Sequence, residues 1–401
     1  MGAEQISQQI KAMPEGTSLL NKVKLLEPQI RAAADSISSE RRLPTDIVDG
    51  LRATGLFRST WAHSLGGTEL DPVSQIEAIE ELSRYDGSVG WVSAFGAIDG
   101  LFGALIDPAG AKELFPDPDT PFVSAGQYTP NGRAEKVQGG YRVTGKWAFG
   151  SGCRHSDVMM AGCLVIDNGE VEIAPNGQPK VLMLFVPKDQ VTIILDSWHV
   201  AGMRGTGSHD YTIEDVFVPE LHTFTFDRMD KPFHEGPLYS FPGLFLYSHI
   251  PMPLGIARAA LDYVYELGET KRILPGTSLL KQRGDAHEAV ARAEAALCSA
   301  RSWTYEVMAD FWDTLCRGDE LSVRQRSMFR LIQVHVSHTA KDIVAQLYDI
   351  VGSSAIHENS PMDRLMGDIR VVCAHRIVQP RMYRPSGKML FGIEVKNDPF
   401  F

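Results

Sequence analysis

The residues between 139 and 152 have the types and spacing to hold a flat ligand. Apolar and polar side chains alternate through the first part of this segment, as in a β-strand with one covered face, and a turn at Gly145 would make it a hairpin. Two aromatic side chains, Trp147 and Phe149, are followed by the small polar run Gly150-Ser151-Gly152. The segment therefore predicts an aromatic wall beside a small polar cluster, which suits a planar ligand.

Other reactive side chains support weaker hypotheses. Asp99, Ser151 and His375 have the residue types of a hydrolytic triad, but the Gly-x-Ser-x-Gly turn that exposes such a serine is absent from the sequence. Gly205 and Gly207 are not followed by the strand–turn–helix pattern of a dinucleotide-binding loop. The sequence therefore favours neither a hydrolase nor a Rossmann domain.

Composition and charge limit the classes of protein to which this chain can belong. Its 401 residues carry 39 basic and 50 acidic side chains, whereas a nucleic-acid or anionic-membrane binder needs a basic surface. No apolar run approaches the ~20 residues that cross a bilayer, no signal peptide is visible, and the five cysteines form no Cys-x-x-Cys pair. His335, His338 and Asp342 share one helical face without a fourth ligand. We expect a cytoplasmic protein without metal, membrane or nucleic-acid partners.

Periodicity divides the chain into three segments. Residues 1–120 and 236–401 repeat apolar side chains at three- and four-residue steps, as helices do, whereas residues 121–235 contain short β-rich runs separated by turn residues. The predicted strands are Tyr141–Phe149, Val158–Val165, Val181–Val186, Val191–Ile194 and Tyr211–Val218. The predicted fold class is α+β: an N-terminal helical domain, a central β-barrel or β-sandwich domain, and a C-terminal four-helix bundle.

Motifs along most of the chain resemble those of the acyl-CoA dehydrogenase superfamily. They are the hairpin residues 139–152, Leu65-Gly66-Gly67, Glu81–Arg84 with Gly90-Trp91, residues 202–208, Glu214–Pro219, and Arg364 with Asp368. Residues 139–152 resemble the flavin-facing hairpin of this superfamily, and Gly367 stands where the family usually has a second arginine. The resemblance spans roughly residues 40 to 390 and implies the same helical–β–helical fold.

The glutamate that removes the substrate α-proton in acyl-CoA dehydrogenases has no counterpart here. No carboxylate follows Asp368 as far as Ile377, and Asp262 and Glu266 lie too far along the other candidate helix. His375 instead resembles the histidine of the flavin-dependent hydroxylases of this fold, such as the oxygenase component of 4-hydroxyphenylacetate hydroxylase and dibenzothiophene monooxygenase. An acyl-CoA dehydrogenase or flavin oxidase with a displaced base is the alternative hypothesis, and a non-catalytic scaffold is the third.

The hydroxylase resemblance implies the oxygenase component of a two-component flavin-dependent monooxygenase. Such enzymes receive reduced FMN or FAD from an NAD(P)H:flavin reductase, react it with O2 to a C4a-(hydro)peroxyflavin, and oxygenate a small aromatic or heteroaromatic substrate. His375 and Ser151 are then the expected catalytic residues, which move a proton and hydrogen-bond the flavin or peroxide. The residues expected to bind the flavin are Trp147, Phe149, Gly150, Ser151, Gly152, Arg272 and Ser353.

The substrate is less well defined by the resemblance. Phenol hydroxylases of this branch carry a second histidine in the helix after Gly-Trp, where this sequence has Ile98 and Asp99. A phenol substrate is therefore in doubt, whereas thioethers, amines and electron-rich rings such as indole remain possible substrates. Asp99 is a candidate to replace the missing histidine as base. The expected substrate-binding residues are Phe95, Asp99, Phe241, Phe245, Tyr247 and His249. The resemblance also implies a homotetramer, because family members bury the last bundle between subunits.

Overall fold

The computed structural model describes residues 3–116, 124–225, 228, 231–272, 278–393 and 395. Its N-terminal helices are α1 (Ala3–Lys11), α2 (Leu19–Lys24), α3 (Glu27–Ala32), α4 (Ala34–Glu40), α5 (Thr45–Thr54), α6 (Pro72–Tyr85), α7 (Gly87–Ala97), α8 (Asp99–Gly103) and α9 (Pro108–Leu114). Its C-terminal helices are α10 (Pro251–Gly268), α11 (Gly284–Cys316), α12 (Val323–Val351), α13 (Pro361–Ala374) and α14 (Tyr383–Leu390). Strands lie between the two groups, so the predicted helical–β–helical order is confirmed. The predicted domain boundary at residue 120 lies outside the described residues.

The central strands form one mixed sheet. They are β1 (Ser124–Val137), β2 (Gly140–Gly150), β3 (Val158–Asp167), β4 (Glu170–Val171), β5 (Val181–Pro187), β6 (Thr192–Ile194), β7 (His209–Pro219) and β8 (Thr223–Thr225). The order is β6-β7-β2-β1-β3-β5-β8, with β4 paired to β3. β1 and β3 run parallel, and the other pairs of described strands are antiparallel. Hydrogen bonds therefore join the described strands of the central β domain into one continuous mixed sheet.

Gly145 does not form the predicted turn. It lies inside β2, paired with Gly132 of β1 and Ile213 of β7, and the chain reverses at Gly139, whose φ is +81°. A Cβ atom at Gly145 would lie 2.6 Å from the Cα of Gly132 and 2.6 Å from the Trp147 ring. The glycine is therefore needed because the neighbouring strand and an aromatic ring approach its backbone closely. Such a close approach is a common reason for glycine within a strand.

The C-terminal helices form a bundle that shares its core with the N-terminal helices. α12 packs against α10, α11 and α13, and α10 also packs against α6. One continuous set of buried apolar side chains joins the two regions, from Phe57 to Phe311 and Phe329. The sheet has a separate core around Trp147 and Tyr211. The two helical regions are therefore held together by apolar burial, which sets the relative positions of side chains far apart in sequence.

Two observations on membranes and metals apply to the described residues. None of their helices combines the length and apolarity that crossing a bilayer requires. No three of their His, Cys, Asp or Glu side chains are grouped as metal ligands. On the helical face considered above, His338 Nε2 lies 3.0 Å from the Val378 carbonyl oxygen and the His335 ring packs on Trp303. Both histidines thus have partners within the bundle.

A buried pair of carboxyl groups joins three segments of the fold. Asp86 caps α7 by accepting hydrogen bonds from the backbone N–H groups of Ser88 and Val89. Asp368, on α13, accepts a hydrogen bond from the Met203 backbone N–H. Burial, and then the neighbouring Asp86, raises the pKa of Asp368 to about 7, and burial also raises the pKa of Asp86. The pair therefore connects α7, α13 and the loop before β7.

Replacing Asp368 with asparagine should change how stability depends on pH. Between pH 4 and 7 the folded chain keeps a proton that an unfolded aspartate, with a pKa of 3.8, has lost. The wild-type free energy of unfolding should therefore fall as pH rises through this window. The Asp368→Asn side chain still accepts from Met203 but does not titrate. Relative to this variant, we expect the wild type to lose about 1–3 kcal/mol between pH 5 and 8 in urea unfolding.

A matched control separates the effect of a buried carboxyl group on the pH dependence of stability from the effect of losing one negative charge. Asp35 is an exposed carboxylate 3.2 Å from Arg364, so Asp35→Asn should leave the pH dependence of wild-type stability unchanged. Parallel unfolding curves for wild type and Asp368→Asn at every pH would contradict the prediction.

Candidate active site

Three segments bring two aromatic rings and two imidazoles together. Trp91 and Phe95 lie on α7, His249 ends the 3₁₀ turn Leu244–His249, and His375 follows α13 directly. The ring centroids of His249 and His375 are 4.5 Å apart, those of Trp91 and His375 are 5.8 Å apart, and those of Phe95 and His249 are 5.4 Å apart. We call these four residues the aromatic–histidine cluster.

The loops after β2 and before β7 add hydroxyl groups to this cluster. Trp91 Nε1 donates to Ser151 Oγ over 3.1 Å, Ser151 Oγ lies 2.7 Å from Ser208 Oγ, and Ser208 Oγ lies 2.7 Å from Thr206 Oγ1. Thr206 Oγ1 donates its proton to the Met203 carbonyl oxygen. Ser208 must therefore donate to Thr206, and Ser151 to Ser208. Since a hydroxyl has two lone pairs, Ser151 can still accept one hydrogen bond from a ligand.

The backbone of the 149–152 loop explains how Phe149 becomes exposed. Phe149 has φ of +64° and Gly152 has φ of +78°, in a region that bulky residues rarely adopt. The Phe149 side chain is 58% exposed, with its ring 6.1 Å from that of Trp198. A hydrogen bond of 2.8 Å from the Gly152 N–H to the Thr206 carbonyl ties this loop to the hydroxyl chain. An exposed aromatic face thus lies close to Ser151, as predicted for Phe149.

Trp147 does not line this surface, contrary to the prediction. Its side chain is fully buried, its Nε1 donates to the Gly162 carbonyl oxygen over 2.8 Å, and its ring stacks on Tyr211. Residues two apart on a strand normally face the same side. The left-handed backbone of Phe149 and the register shift after Trp147 break that alternation, so the two rings separate.

Both histidines of the cluster are neutral at physiological pH. Burial lowers the pKa of His375 to about 4. Burial, followed by the charges of His375 and Arg330, holds the pKa of His249 well below its usual value. The Ile377 backbone N–H donates to Nδ1 of His375 over 3.5 Å, which leaves the ring proton on Nε2. His375 is therefore arranged as a hydrogen-bond donor through Nε2.

Several predicted substrate-binding residues lie beside the cluster. Phe245 shares the 3₁₀ turn of His249, and its ring lies 5.2 Å from Phe102 and 6.1 Å from Tyr128. Asp99 is buried. The pKa of Tyr128 is raised first by the burial of Tyr128 and then by the negative charge of Asp99. A pocket lined mainly by apolar side chains lies next to this group. Its lining includes Leu101, Phe102, Leu105, Leu238, Tyr239, Phe241, Pro242 and Phe245.

Three further predicted site residues, Tyr247, Arg272 and Ser353, also lie outside the aromatic–histidine cluster. Tyr247 is fully buried and its hydroxyl donates to Gln75 Oε1 over 2.6 Å, so it is a core residue and the prediction that it contacts substrate is not supported. Arg272 follows α10 and Ser353 follows α12, and both are exposed. Lys271 Nζ donates to the Ser354 hydroxyl, which brings these two helix ends together.

The displaced bases of the alternative hypothesis lie in a different cavity. Asp262 accepts a hydrogen bond of 2.5 Å from Arg84 Nε and is thereby paired. Both Asp262 and Glu266 line an open pocket that is also lined by Asp86 and Arg364. Neither carboxylate belongs to the aromatic–histidine cluster, so the alternative gains no support from the geometry.

Sequence reasoning missed three side chains that the structure places at the site: Trp91, Thr206 and Ser208. Each lies within a motif that carried the family resemblance, Gly90-Trp91 and residues 202–208. Any residue of a buried helix could face the site, and a glycine-rich loop is usually only a turn. Neither motif on its own therefore indicates that its side chains contact Ser151. Small hydroxyl residues next to the glycines were the available signal.

Fold and site together define the class of this protein. Helical domains enclose a sheet, and the described site combines a hydroxyl chain, an exposed aromatic ring and neutral imidazoles, an arrangement suited to flavin enzymes of the acyl-CoA dehydrogenase fold. Residues 22–114 match the family described as acyl-CoA dehydrogenase, N-terminal domain, and residues 247–380 match acyl-CoA dehydrogenase, C-terminal domain.

Similarity to known proteins narrows this class. Indole-3-acetate monooxygenase of Pseudomonas putida is 32% identical over 364 residues, which are 90% of each chain. The oxygenase subunit HsaA, a flavin-dependent monooxygenase of Rhodococcus jostii, is 29% identical and covers 94% of this chain and 99% of its own. The crystal structure of 3-HSA hydroxylase from Rhodococcus sp. RHA1 has a TM-score of 0.85 and 26% identity over 97% of this chain and 100% of its own. The chain belongs to the flavin-dependent monooxygenases of the acyl-CoA dehydrogenase superfamily.

Proposed function

We propose that this chain is the oxygenase component of a two-component monooxygenase that acts on a small aromatic or heteroaromatic compound. A separate NAD(P)H:flavin reductase supplies it with reduced FMN or FAD. When bound, reduced flavin provides two electrons to O2, so that one oxygen atom enters the substrate and the other leaves as water. Indole-3-acetate monooxygenases and HsaA-type oxygenase subunits among the relatives support an aromatic substrate.

The 149–152 loop has the groups that a reduced flavin requires. The exposed Phe149 ring offers an apolar surface for a flat heterocycle, and the small residues Gly150 and Gly152 adjoin it in the chain. Ser151 has one lone pair left to accept an N–H hydrogen bond, because its proton goes to Ser208. Ser151 would therefore hold an N–H group of the bound ring and keep its orientation fixed.

His375 is proposed as the catalytic proton donor. Its Nε2 carries the proton while Nδ1 accepts from Ile377, and Trp91 and Phe95 surround the ring. A half-buried donor among aromatic rings stabilises developing negative charge on oxygen more strongly than a fully exposed one, because less water competes for it. The apolar rings also exclude water from the place where the proton is given up.

Arg272 and Ser353 are proposed to serve the flavin of a neighbouring subunit. Both are exposed, and the contact between Lys271 and Ser354 holds their helix ends beside each other. An exposed arginine is suited to pair with a flavin phosphate. This role accompanies the proposal that the chain assembles as a homotetramer.

The observation that carries this function is that Ser151 and His375 both contact Trp91. Ser151 accepts from the Trp91 Nε1–H, and the His375 ring lies edge-on to the same indole at 5.8 Å. Two residues far apart in sequence thereby form one site with an acceptor and a donor. A core role alone would not require a hydroxyl and an imidazole to share the same tryptophan.

Isotope incorporation tests the function. The purified chain, NADH, FMN and an unrelated NADH:flavin reductase are incubated with indole under ¹⁸O2. We expect a product with one added ¹⁸O atom, formed only when both proteins are present. Indole recovered unchanged with all reducing equivalents released as hydrogen peroxide, together with bleaching of bound oxidised FAD by an acyl-CoA, would favour the dehydrogenase alternative.

A further inference from the structure

His249 Nε2 is a buried polar atom without a hydrogen-bond partner among the described residues. The residue is 2% exposed. Three neighbouring rings surround its imidazole. Measured between ring centroids, Phe95 lies edge-on at 5.4 Å, Trp91 lies edge-on at 6.5 Å, and His375 lies at 4.5 Å with its ring tilted. The orientation of the imidazole is therefore restricted from several sides, and Nε2 lies within the aromatic–histidine cluster.

The contacts of the other ring nitrogen determine which one carries the proton. A hydrogen bond with the Leu246 backbone acts against the lowering of the pKa of His249, as a carbonyl acceptor does, and Ser248 Oγ lies 3.3 Å from Nδ1. Because Nε2 has no partner among the described residues, we assign the Leu246 hydrogen bond to Nδ1, which then carries the proton. In a neutral imidazole the second nitrogen is then a lone-pair acceptor. His249 Nε2 is thus an acceptor, whereas His375 Nε2 is a donor.

An unsatisfied buried acceptor is costly. Burying such a group without a partner costs its full desolvation free energy, so a polar atom in this state is expected where a ligand satisfies it. The charge state agrees with a role in binding. Burial, His375 and Arg330 all lower the pKa of His249, so the ring accepts a hydrogen bond at neutral pH without taking the proton.

We propose that His249 Nε2 accepts a hydrogen bond from the substrate and thereby selects aromatic compounds that carry a ring N–H or a phenolic O–H. This inference rests on the proposed function, since it assigns a substrate class to the same site. A site built to accept such a bond discriminates strongly against an analogue that lacks the donor, because the buried acceptor is then left unpaired. His249 is therefore a specificity-determining residue.

His249 does not stand where the family resemblance places a second histidine. That histidine, expected in the helix after Gly-Trp, is absent, and Asp99 stands near its place. The structure supplies a second imidazole from the turn before α10 instead. Because the pKa of His249 is lowered, this imidazole is a hydrogen-bond acceptor and a poor base.

Binding of two matched probes tests the inference. Indole and benzofuran have the same ring outline, but benzofuran has an oxygen in place of the N–H. Dissociation constants are measured anaerobically with the chain loaded with reduced FMN. We expect the wild type to bind indole at least 30-fold more tightly, about 2 kcal/mol. In His249→Phe, indole should bind as weakly as benzofuran, whose own affinity should change less than threefold.

Two further variants control for packing. His249→Gln provides a carbonyl acceptor of similar reach and should retain part of the preference for indole. His335→Phe replaces a half-buried histidine elsewhere in the bundle and should leave the preference unchanged. Folding of each variant is checked by its thermal unfolding midpoint.

The outcomes separate this inference from the proposed function. A wild type without preference for indole, or a preference that survives in both His249→Phe and His249→Gln, overturns the inference. These constants do not depend on turnover, so failure to incorporate oxygen into any aromatic probe overturns the proposed function alone. Failure of both reduced FMN and reduced FAD to bind overturns both.

Discussion

Product formation should fall about 100-fold when His375 is replaced by alanine. General acid–base groups contribute on the order of 10²–10⁴ to a rate, and the Nε2–H of the half-buried His375 is the donor proposed for the oxygen that develops negative charge. Binding of reduced flavin should change little, because Phe149 and Ser151 remain. The measurement is the rate of hydroxylated product together with hydrogen peroxide released per NADH consumed. We expect the lost product to appear as peroxide.

The pH dependence adds a second readout for His375. Its pKa of about 4 means that the imidazole is neutral across the physiological range, so wild-type product formation should show no transition near pH 6.5 from this group. Activity that depends on the neutral ring should fall only as pH drops towards 4. A wild-type profile that rises through a pKa of 6.5 and loses that rise in His375→Ala would contradict this assignment.

Controls separate chemistry from packing at His375. His335→Ala removes a half-buried imidazole that packs on Trp303, and it should leave the rate within threefold of wild type. Added imidazole should restore part of the activity of His375→Ala, because a small molecule can supply the missing donor. A rate for His375→Ala within threefold of wild type would remove His375 from the catalytic residues.

Gly367→Ala should lower the free energy of unfolding by about 2–3 kcal/mol. A Cβ atom at this position would lie 2.4 Å from the Ala201 carbonyl oxygen and 3.2 Å from the Gly202 Cα. These are backbone atoms, which cannot move aside as a flexible side chain can, so the added methyl group overpacks the contact. Helix propensity alone would favour alanine by about 1 kcal/mol, and the clash is expected to outweigh it.

A second glycine in a helix is a matched control for Gly367. Gly387 lies within α14, and among the described residues no atom beyond the backbone of its own helix lies within 4 Å of the position that a Cβ atom would take. Gly387→Ala should therefore raise stability by up to about 1 kcal/mol. Urea unfolding of both variants measures the difference. Equal stabilisation by the two substitutions would show that α13 and the loop at Gly202 do not approach closely in solution.

The contact at Gly367 also explains a departure from the family pattern. The superfamily usually has an arginine where this chain has Gly367, and the neighbouring Asp368 accepts from the Met203 backbone. With glycines at 367 and 202, the helix and the loop touch through their backbones. An arginine side chain has no room there. This feature holds the loop that carries Thr206 and Ser208 against the helix that leads to His375.

Strand β1 illustrates where pattern reading reaches its limit. The strand runs from Ser124 to Val137, yet it contains Pro130, Asn131 and Gly132, which are turn residues by type. The pairing of β1 with β3 shifts register twice between Gln127 and Gly132, so an irregular strand accommodates these residues. A local pattern cannot reveal this, because the neighbouring strand supplies the hydrogen bonds that compensate for the irregularity.

The sequence by itself determined the class of the protein and supplied candidate residues for its site. Helical and β-strand periods follow from which side chains are buried one or two turns apart, so the helical–β–helical order could be predicted locally. Short motifs were enough to single out Ser151 and His375, because their neighbours along the chain carry the resemblance. Phe149 was likewise indicated by its place beside the small polar run.

Only the tertiary structure decided which of these side chains meet. Trp147 is buried while Phe149 is exposed because one left-handed residue interrupts the strand, and Tyr247 belongs to the core because its hydroxyl reaches Gln75. His249 and His375 come within 4.5 Å because the turn before α10 packs beside the end of α13. Apolar burial is non-directional and acts between segments far apart in sequence, so the partners of a buried polar group depend on how whole elements pack.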